Sequence, residues 1–147
     1  MYANQAHIVL VHFPVLGSFI SLFLGWKAFK NASEASYKYF YWSGLFLAIT
    51  GSIAYFSGVE TANWLKNNYD AYNQSLIENH ALIGRIGFIF SIFTGVLGIM
   101  GVSAYAQDEI PHKVIPYILL IITVISILIP KRELLDEADL AKLNKKQ

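Results

Sequence analysis

Long apolar stretches separated by short polar ones dominate the chain. They cover residues from about 6 to 29, 38 to 65, 77 to 106 and 112 to 130, and most charged residues lie between or after them. A helix needs about 20 apolar residues to cross the hydrocarbon core of a bilayer, and each stretch supplies about that many. The pattern therefore predicts four transmembrane helices, here called spans one to four.

The composition supports a membrane protein. With 147 residues, 55% hydrophobic and 14% charged, the chain is too apolar for an ordinary soluble domain. We predict an all-α integral membrane four-helix bundle over residues 1–130 and a charged, amphipathic C-terminal tail over 131–147. We expect membrane lipid to surround the bundle. The formal charge of +1 does not indicate a nucleic-acid partner. Since the chain has no cysteine, it cannot form disulfides, iron–sulfur clusters or a covalent haem attachment.

The positive charges of the short loops are unevenly divided between the two membrane faces. An even number of spans places both termini on one face, side A, together with the loop at 66–75, while side B holds the two other loops. The short loops of side B carry four lysines, which are Lys27, Lys30, Lys38 and Lys113. The short loop of side A carries one, Lys66. The positive-inside rule then predicts that side B is cytoplasmic. The C-terminal tail on side A favours the opposite orientation, because it has five Lys or Arg residues and four acidic residues. We predict a bacterial inner-membrane protein with both termini in the periplasm.

Three histidines are predicted to converge at side A. His7 and His12 lie near the start of span one and His80 near the start of span three, whereas His112 lies at the side-B end of span four. A histidine inside a bilayer is costly without a partner and is a candidate for function. Imidazole is also a common ligand of haem iron and other metals. The alternative is an interfacial ring that bonds to backbone or water.

The spacing of His7 and His12 gives them different roles. His7 and His80 lie at matching depths, about one turn inside their spans. His12 is about 7.5 Å deeper than His7 and rotated by about 140° around the helix, so the two cannot both ligate one mononuclear centre. One of them is predicted to pair with His80 as an axial haem ligand. The other then binds a second centre, bonds to a propionate, or lines a quinone or proton site.

Small residues follow His80 along one face of span three, and a similar series runs along span two. These residues are Gly84, Gly87, Ser91, Gly95 and Gly98 on span three, and Gly44, Ala48, Gly51 and Gly58 on span two. Small residues allow a flat macrocycle to approach a helix closely, so Gly84 and Gly87 are candidate cofactor-binding residues. The same stripe is also the usual means of packing membrane helices with no ligand.

Arg85 is a second costly residue, roughly two turns inside span three. An arginine at that depth needs an anionic partner or a route to the interface. A haem propionate would supply acceptor oxygens, and Glu60 or Glu78 would do so without a cofactor. Snorkelling of the side chain to the interface is the remaining alternative.

Three segments resemble a bacterial four-helix membrane domain, the domain of unknown function 2231. The phrase His7-Ile-Val-Leu-Val-His12-Phe13-Pro14 is similar to the start of its first helix, except that the family often has proline where Ile8 stands. The segments Gly51-Ser-Ile-Ala-Tyr-Phe-Ser-Gly58 and His80-Ala-Leu-Ile-Gly84 are similar to its second and third helices. The similarity covers spans one to three.

The resemblance implies a function in electron transfer. Members of this family look like b-type cytochromes, and some are joined to c-type haem domains outside the cytoplasm. This implies non-covalent haem b near side A, with quinol, a c-type cytochrome or a larger membrane electron-transport complex as partner. The phrase His-Phe-Pro favours His12 as the partner of His80, whereas depth favours His7. The alternatives are a cofactor-free accessory subunit of a respiratory or photosynthetic complex, or a copper or zinc site on the same histidines.

Overall fold

The computed structural model describes residues 3–68 and 74–128, and within them the chain forms four helices. These are α1 (Ala3–Asn31), α2 (Glu34–Asn68), α3 (Gln74–Ala106) and α4 (Val114–Leu128). The prediction of an all-α four-helix bundle is confirmed. Helices α1, α2 and α3 are each long and apolar enough to cross a membrane. The predicted tail at 131–147 and the last residues of span four lie outside the described residues.

Both ends of the predicted loop at 66–75 belong to helices. Helix α2 continues to Asn68 and α3 begins at Gln74, so the two helices extend beyond the apolar stretches. The reason is that backbone hydrogen bonds of a helix do not depend on apolar side chains. At the end of α2, the Asn68 side-chain amide donates to the carbonyl of Trp64 at 2.8 Å, which ties the polar end to the apolar helix.

The connection between α1 and α2 is a tight turn on side B. Ala32 has a φ of 48°, in the left-handed region. Its N–H donates to the carbonyl of Ala28 at 2.9 Å, and this closes the last turn of α1. The hydroxyl oxygen of Ser33 accepts the N–H of Ser36 at 3.3 Å, as expected of an N-cap residue. Helix α2 therefore reverses direction and runs antiparallel to α1.

The connection between α3 and α4, also on side B, begins with a Schellman motif. Asp108 has a φ of 57°, and the N–H of Glu109 reaches back to the carbonyl of Ala104 at 2.9 Å. Left-handed residues at this position satisfy carbonyls that the end of a helix leaves unpaired. Pro116 falls in the first turn of α4, where its missing N–H costs little.

The four helices pack most closely toward side B. Ala28, Phe40, Tyr41 and Leu119 form a fully or almost fully buried cluster there, with each of α1, α2 and α4 represented. Helix α3 joins them through Gly98, where an added Cβ would lie 2.6 Å from the carbonyl oxygen of Tyr41. The backbones of α2 and α3 are therefore in direct contact at this level.

Helix α2 lies between α1 and α3 and packs along both of them. Within the described residues, the backbones of α1 and α3 do not approach each other closely at any level. At mid-depth the hydroxyls of Ser43 on α2 and Ser21 on α1 lie 2.8 Å apart, and both residues are buried. Hydroxyl bonds of this kind connect helices inside a membrane. Above this level, toward side A, the space between α1 and α3 is open.

Three lysines at side B lie over aromatic rings. They are Lys27 over Phe23 at 5.8 Å, Lys30 over Trp26 at 5.0 Å and Lys38 over Tyr105 at 5.3 Å. Cations within about 6 Å of a ring centroid are attracted to the ring face. Aromatic and lysine side chains together are typical of the boundary between the hydrocarbon core and the headgroups.

Candidate cofactor site

A cavity of about 450 Å³ occupies the space between α1, α2 and α3 toward side A. Pockets for cofactors and small molecules typically have volumes of about 300–1,000 Å³. Along α2 the lining runs from Asn63 down to Leu47, which is about 24 Å at a helical rise of 1.5 Å per residue. Helix α4 contributes Ser126 at the deep end. The lining is mostly apolar, with a few polar groups.

Two imidazoles meet at the side-A part of this cavity. The rings of His7 on α1 and His80 on α3 have centroids 6.2 Å apart and planes at 87°. Because a metal–imidazole bond is about 2 Å long, two rings on opposite sides of one ion have centroids about 6 Å apart. The observed separation suits a metal between the rings. It is also ordinary for two rings in direct edge-to-face contact.

Helix α2 positions the ring of His7. The Nδ1 atom of His7 lies 3.0 Å from the hydroxyl oxygen of Ser57, and that hydroxyl donates to the carbonyl of Ala54 at 2.9 Å. Gly58 lies against the same ring, since an added Cβ would come within 2.9 Å of His7 Cε1. Ser57 therefore anchors the imidazole, and Gly58 leaves the room that it occupies.

His12 lies on a different face of α1, as its spacing from His7 predicts. It is exposed, and its Nδ1 donates to the carbonyl of Ile8 at 2.6 Å. Its side chain borders a shallow apolar groove on the outer surface of α1, with Phe13 and Leu16. The structure thus brings His7, and not His12, to His80. His112 lies at side B, where its Nδ1 is 3.4 Å from the N–H of Val114.

The stripe of small residues on α3 has two different environments. At Gly84 and Gly87 an added Cβ would find no atom within 4 Å, and both residues line the cavity. At Gly95 and Gly98 an added Cβ would meet Ala48 and Tyr41 of α2. Helix packing therefore accounts for the glycines toward side B, and open space accounts for the two toward side A.

Arg85 also lines the cavity and is exposed. Among the residues that the structure describes, it forms no ion pair, and the predicted alternative of a pair with Glu60 or Glu78 is not observed. Glu78 instead accepts a hydrogen bond from the side chain of Gln74 at 2.8 Å. The guanidinium is thus available to an anionic group in the cavity.

Sequence reasoning missed Ser57 and an aromatic pair. Tyr55 of α2 and Phe88 of α3 stack with centroids 4.6 Å apart and planes at 13°, and both line the cavity. Ser57 sits beside Gly58, which the small-residue pattern did identify. The signal that was available is depth, because His7 and Ser57 lie a similar number of residues from the side-B ends of α1 and α2.

Few side chains in the site could act as metal ligands. In the part of the chain that the structure describes, no three His, Asp or Glu side chains come together in a way that could hold a metal ion. Two imidazoles suffice for haem, since the macrocycle itself supplies the four equatorial nitrogens and the protein supplies axial ligands. Comparisons with protein-family models, with curated proteins and with solved structures find no match, so the resemblance in spans one to three stays a prediction.

Proposed function

We propose that the protein is a membrane-bound, b-type-cytochrome-like electron-transfer protein that holds non-covalent haem between His7 and His80. The observation that carries the proposal is a pair of imidazoles from two separate helices, with centroids 6.2 Å apart, in a cavity of about 450 Å³. A histidine pair at this depth in a membrane protein is costly unless the rings serve a function.

The rest of the lining fits a flat, anionic group. Gly84 and Gly87 leave open space along part of the α3 wall, and the stacked Tyr55 and Phe88 give the cavity an aromatic border. Arg85, with no ion pair among the described residues, would donate hydrogen bonds to a propionate. These features support haem more than a bare copper or zinc ion, which would need further protein ligands.

Each residue of the site would have a distinct role toward haem. When bound, haem supplies one-electron chemistry at its iron. His7 and His80 would hold it from opposite sides, Arg85 would offset its negative charge, and the apolar lining would keep water away. Burial, axial ligands and nearby charge are the means by which a protein sets the reduction potential of haem.

The location of the cavity suggests the partners. Its histidine end lies at side A. The lysines of side B and the positive-inside rule support a side A that faces the periplasm of a bacterial inner membrane. Electrons would pass between quinol in the membrane and a c-type cytochrome or a larger electron-transport complex. A quinone is the second cofactor that this arrangement would use.

The proposal is tested by the visible spectrum. Protein purified from haem-replete cells is expected to show a reduced-minus-oxidised spectrum of haem b and to give a positive pyridine haemochrome assay. His7→Ala and His80→Ala should each abolish the band, whereas His112→Ala, at the opposite membrane face, should retain it. A featureless spectrum refutes the proposal. Loss of the band in His12→Ala, with retention in His7→Ala, refutes the ligand pair.

A second candidate function is that of a cofactor-free accessory subunit of a respiratory or photosynthetic complex. The observation that favours it is the perpendicular arrangement of the His7 and His80 rings, which is ordinary for rings in direct contact. Under this proposal, the purified protein contains neither haem nor metal and migrates in native gels with a larger membrane complex. Metal without a Soret band would instead identify a copper or zinc site.

A further inference from the structure

We infer that Ser57 is a positioning residue that fixes His7 as the tautomer with its proton on Nδ1, which leaves the lone pair of Nε2 for a metal. The tautomer itself follows from hydrogen bonds within the chain. Its consequence for a bound metal rests on the proposed function, and the experiments below separate the two.

The number of protons on Ser57 decides the tautomer of His7. A serine hydroxyl has one proton and two lone pairs. The proton of Ser57 is donated to the carbonyl of Ala54 at 2.9 Å. The contact between Ser57 Oγ and His7 Nδ1 at 3.0 Å must then use a lone pair of the oxygen. His7 is therefore the donor in this bond, and its Nδ1 carries the ring proton.

The neighbouring glycine makes the position specific. At Gly58 an added Cβ would lie 2.9 Å from Cε1 of His7 and 3.4 Å from Nε2, so the ring rests directly on the backbone of α2. The adjacent residues Ser57 and Gly58 thus provide a hydrogen-bond acceptor and a recess for one imidazole. The contact joins α1 to α2.

His12 provides an internal comparison. Its Nδ1 also donates, but to the carbonyl of Ile8 in its own helix at 2.6 Å. That bond fixes the tautomer of His12 without attaching the ring to another helix or directing it into the cavity. The bond of His7 to Ser57, by contrast, ties an imidazole to α2 at 3.0 Å.

The bond has a consequence for a bound metal. Histidines that ligate metals commonly donate their other ring N–H to an oxygen, which sets the ring orientation and raises the basicity of the ligating nitrogen. A more basic axial ligand stabilises ferric haem and lowers the reduction potential. Removal of Ser57 Oγ should therefore shift the haem potential upward.

The first experiment does not require haem. The full chain, labelled with ¹⁵N-histidine and purified in detergent from haem-depleted cells, is examined by NMR at a pH where His7 is neutral, and the signals are assigned with His7→Gln. We expect His7 to carry its proton on Nδ1. Ser57→Ala should shift the population toward the Nε2–H form, Ser57→Thr should restore the wild-type signal, and Ser52→Ala should leave it unchanged. Ser52 is the matched control because its hydroxyl bonds within α2, to the carbonyl of Ala48. A wild-type His7 protonated on Nε2, or no change in Ser57→Ala, overturns the inference.

The second experiment measures the midpoint potential of haem-loaded wild-type, Ser57→Ala and Ser57→Thr proteins. An upward shift in Ser57→Ala that is reversed in Ser57→Thr supports the role toward the metal. Equal potentials in the three proteins overturn that role. If no variant binds haem, the proposed function fails, while the NMR experiment still decides the tautomer of His7.

Discussion

Substituting alanine for glycine at two levels of α3 tests the division of the bundle into an open and a packed part. Gly84 faces open space in the cavity, whereas Gly98 lies against the backbone of α2. The two residues belong to one stripe on the same helix, so the same chemical change is made in the same kind of element. We expect opposite effects on the free energy of unfolding.

The magnitudes follow from what the new methyl group meets. At Gly84 there is no atom within 4 Å, and alanine favours the helix over glycine by up to about 1 kcal/mol. The expected effect of Gly84→Ala lies between no change and a gain of about 1 kcal/mol. At Gly98 the Cβ would lie 2.6 Å from the carbonyl oxygen of Tyr41 and 2.9 Å from the nitrogen of Leu45. Backbone atoms cannot move aside alone, so α2 and α3 must separate, at a cost of about 1–3 kcal/mol for overpacking.

The assay is reversible unfolding in mixed micelles, with SDS as denaturant and circular dichroism and tryptophan fluorescence as two independent signals. Coincident transitions justify a two-state free energy. If Gly84→Ala destabilises the protein as much as Gly98→Ala does, then another helix packs against Gly84 and the cavity does not exist. Equal stability of Gly98→Ala and wild type would contradict the close approach of α2 and α3.

A larger substitution at Gly84 tests whether the proposed cofactor occupies the cavity. Gly84→Leu places a branched side chain in the open space, so we expect haem content to fall while the unfolding free energy stays near that of Gly84→Ala. Leu82→Phe is the matched control, because Leu82 is 55% exposed on the outer surface of α3 and does not line the cavity. Full haem content in Gly84→Leu would place haem elsewhere.

Three further predictions concern single side chains. Arg85→Leu should reduce haem retention in a dilution assay, because the cavity loses a cation, and Arg85→Lys should restore part of it. Equal retention in the wild-type protein and both variants would exclude a contact between Arg85 and a propionate. Ala32→Gly should stabilise the protein by about 1 kcal/mol in the same unfolding assay, since alanine is strained at its φ of 48°, and a loss of stability would contradict the left-handed turn. Ser43→Ala should cost about 1 kcal/mol, because it removes the buried hydroxyl contact with Ser21, and a neutral effect would show that the bond contributes nothing.

The sequence was sufficient for the helices and for the meeting of His7 with His80, whereas His12, which was predicted to converge with them, lies on another face of α1. Length and hydropathy predict the spans, and an alternating topology places the starts of α1 and α3 at one membrane face. The helical rise then matches His7 with His80 in depth and turns His12 to another face, and the structure agrees on both points. The resemblance through the phrase His-Phe-Pro favours His12 instead, and that preference stays a prediction, although His12 does not line the cavity.

The sequence could not separate the two environments of the α3 stripe. Gly84 and Gly87 have the same character as Gly95 and Gly98, and their spacing is similar. What differs is the facing helix, which approaches one pair and not the other. Such differences arise from packing of several helices at once, and a single helical pattern does not encode them. The bond from His7 to Ser57 joins residues 50 positions apart. Their similar depth permits it, but the direction of each side chain around its helix depends on the packing.

The position of the buried cluster has a consequence for biogenesis. Ala28, Phe40, Tyr41 and Leu119 lie near one membrane face, while the histidine pair lies toward the other. Under the proposed function, we expect the polypeptide to insert and to reach its native topology before haem binds. Loading would then be the final step of maturation, and cells starved of haem should accumulate an intact, protease-resistant apoprotein in their membranes.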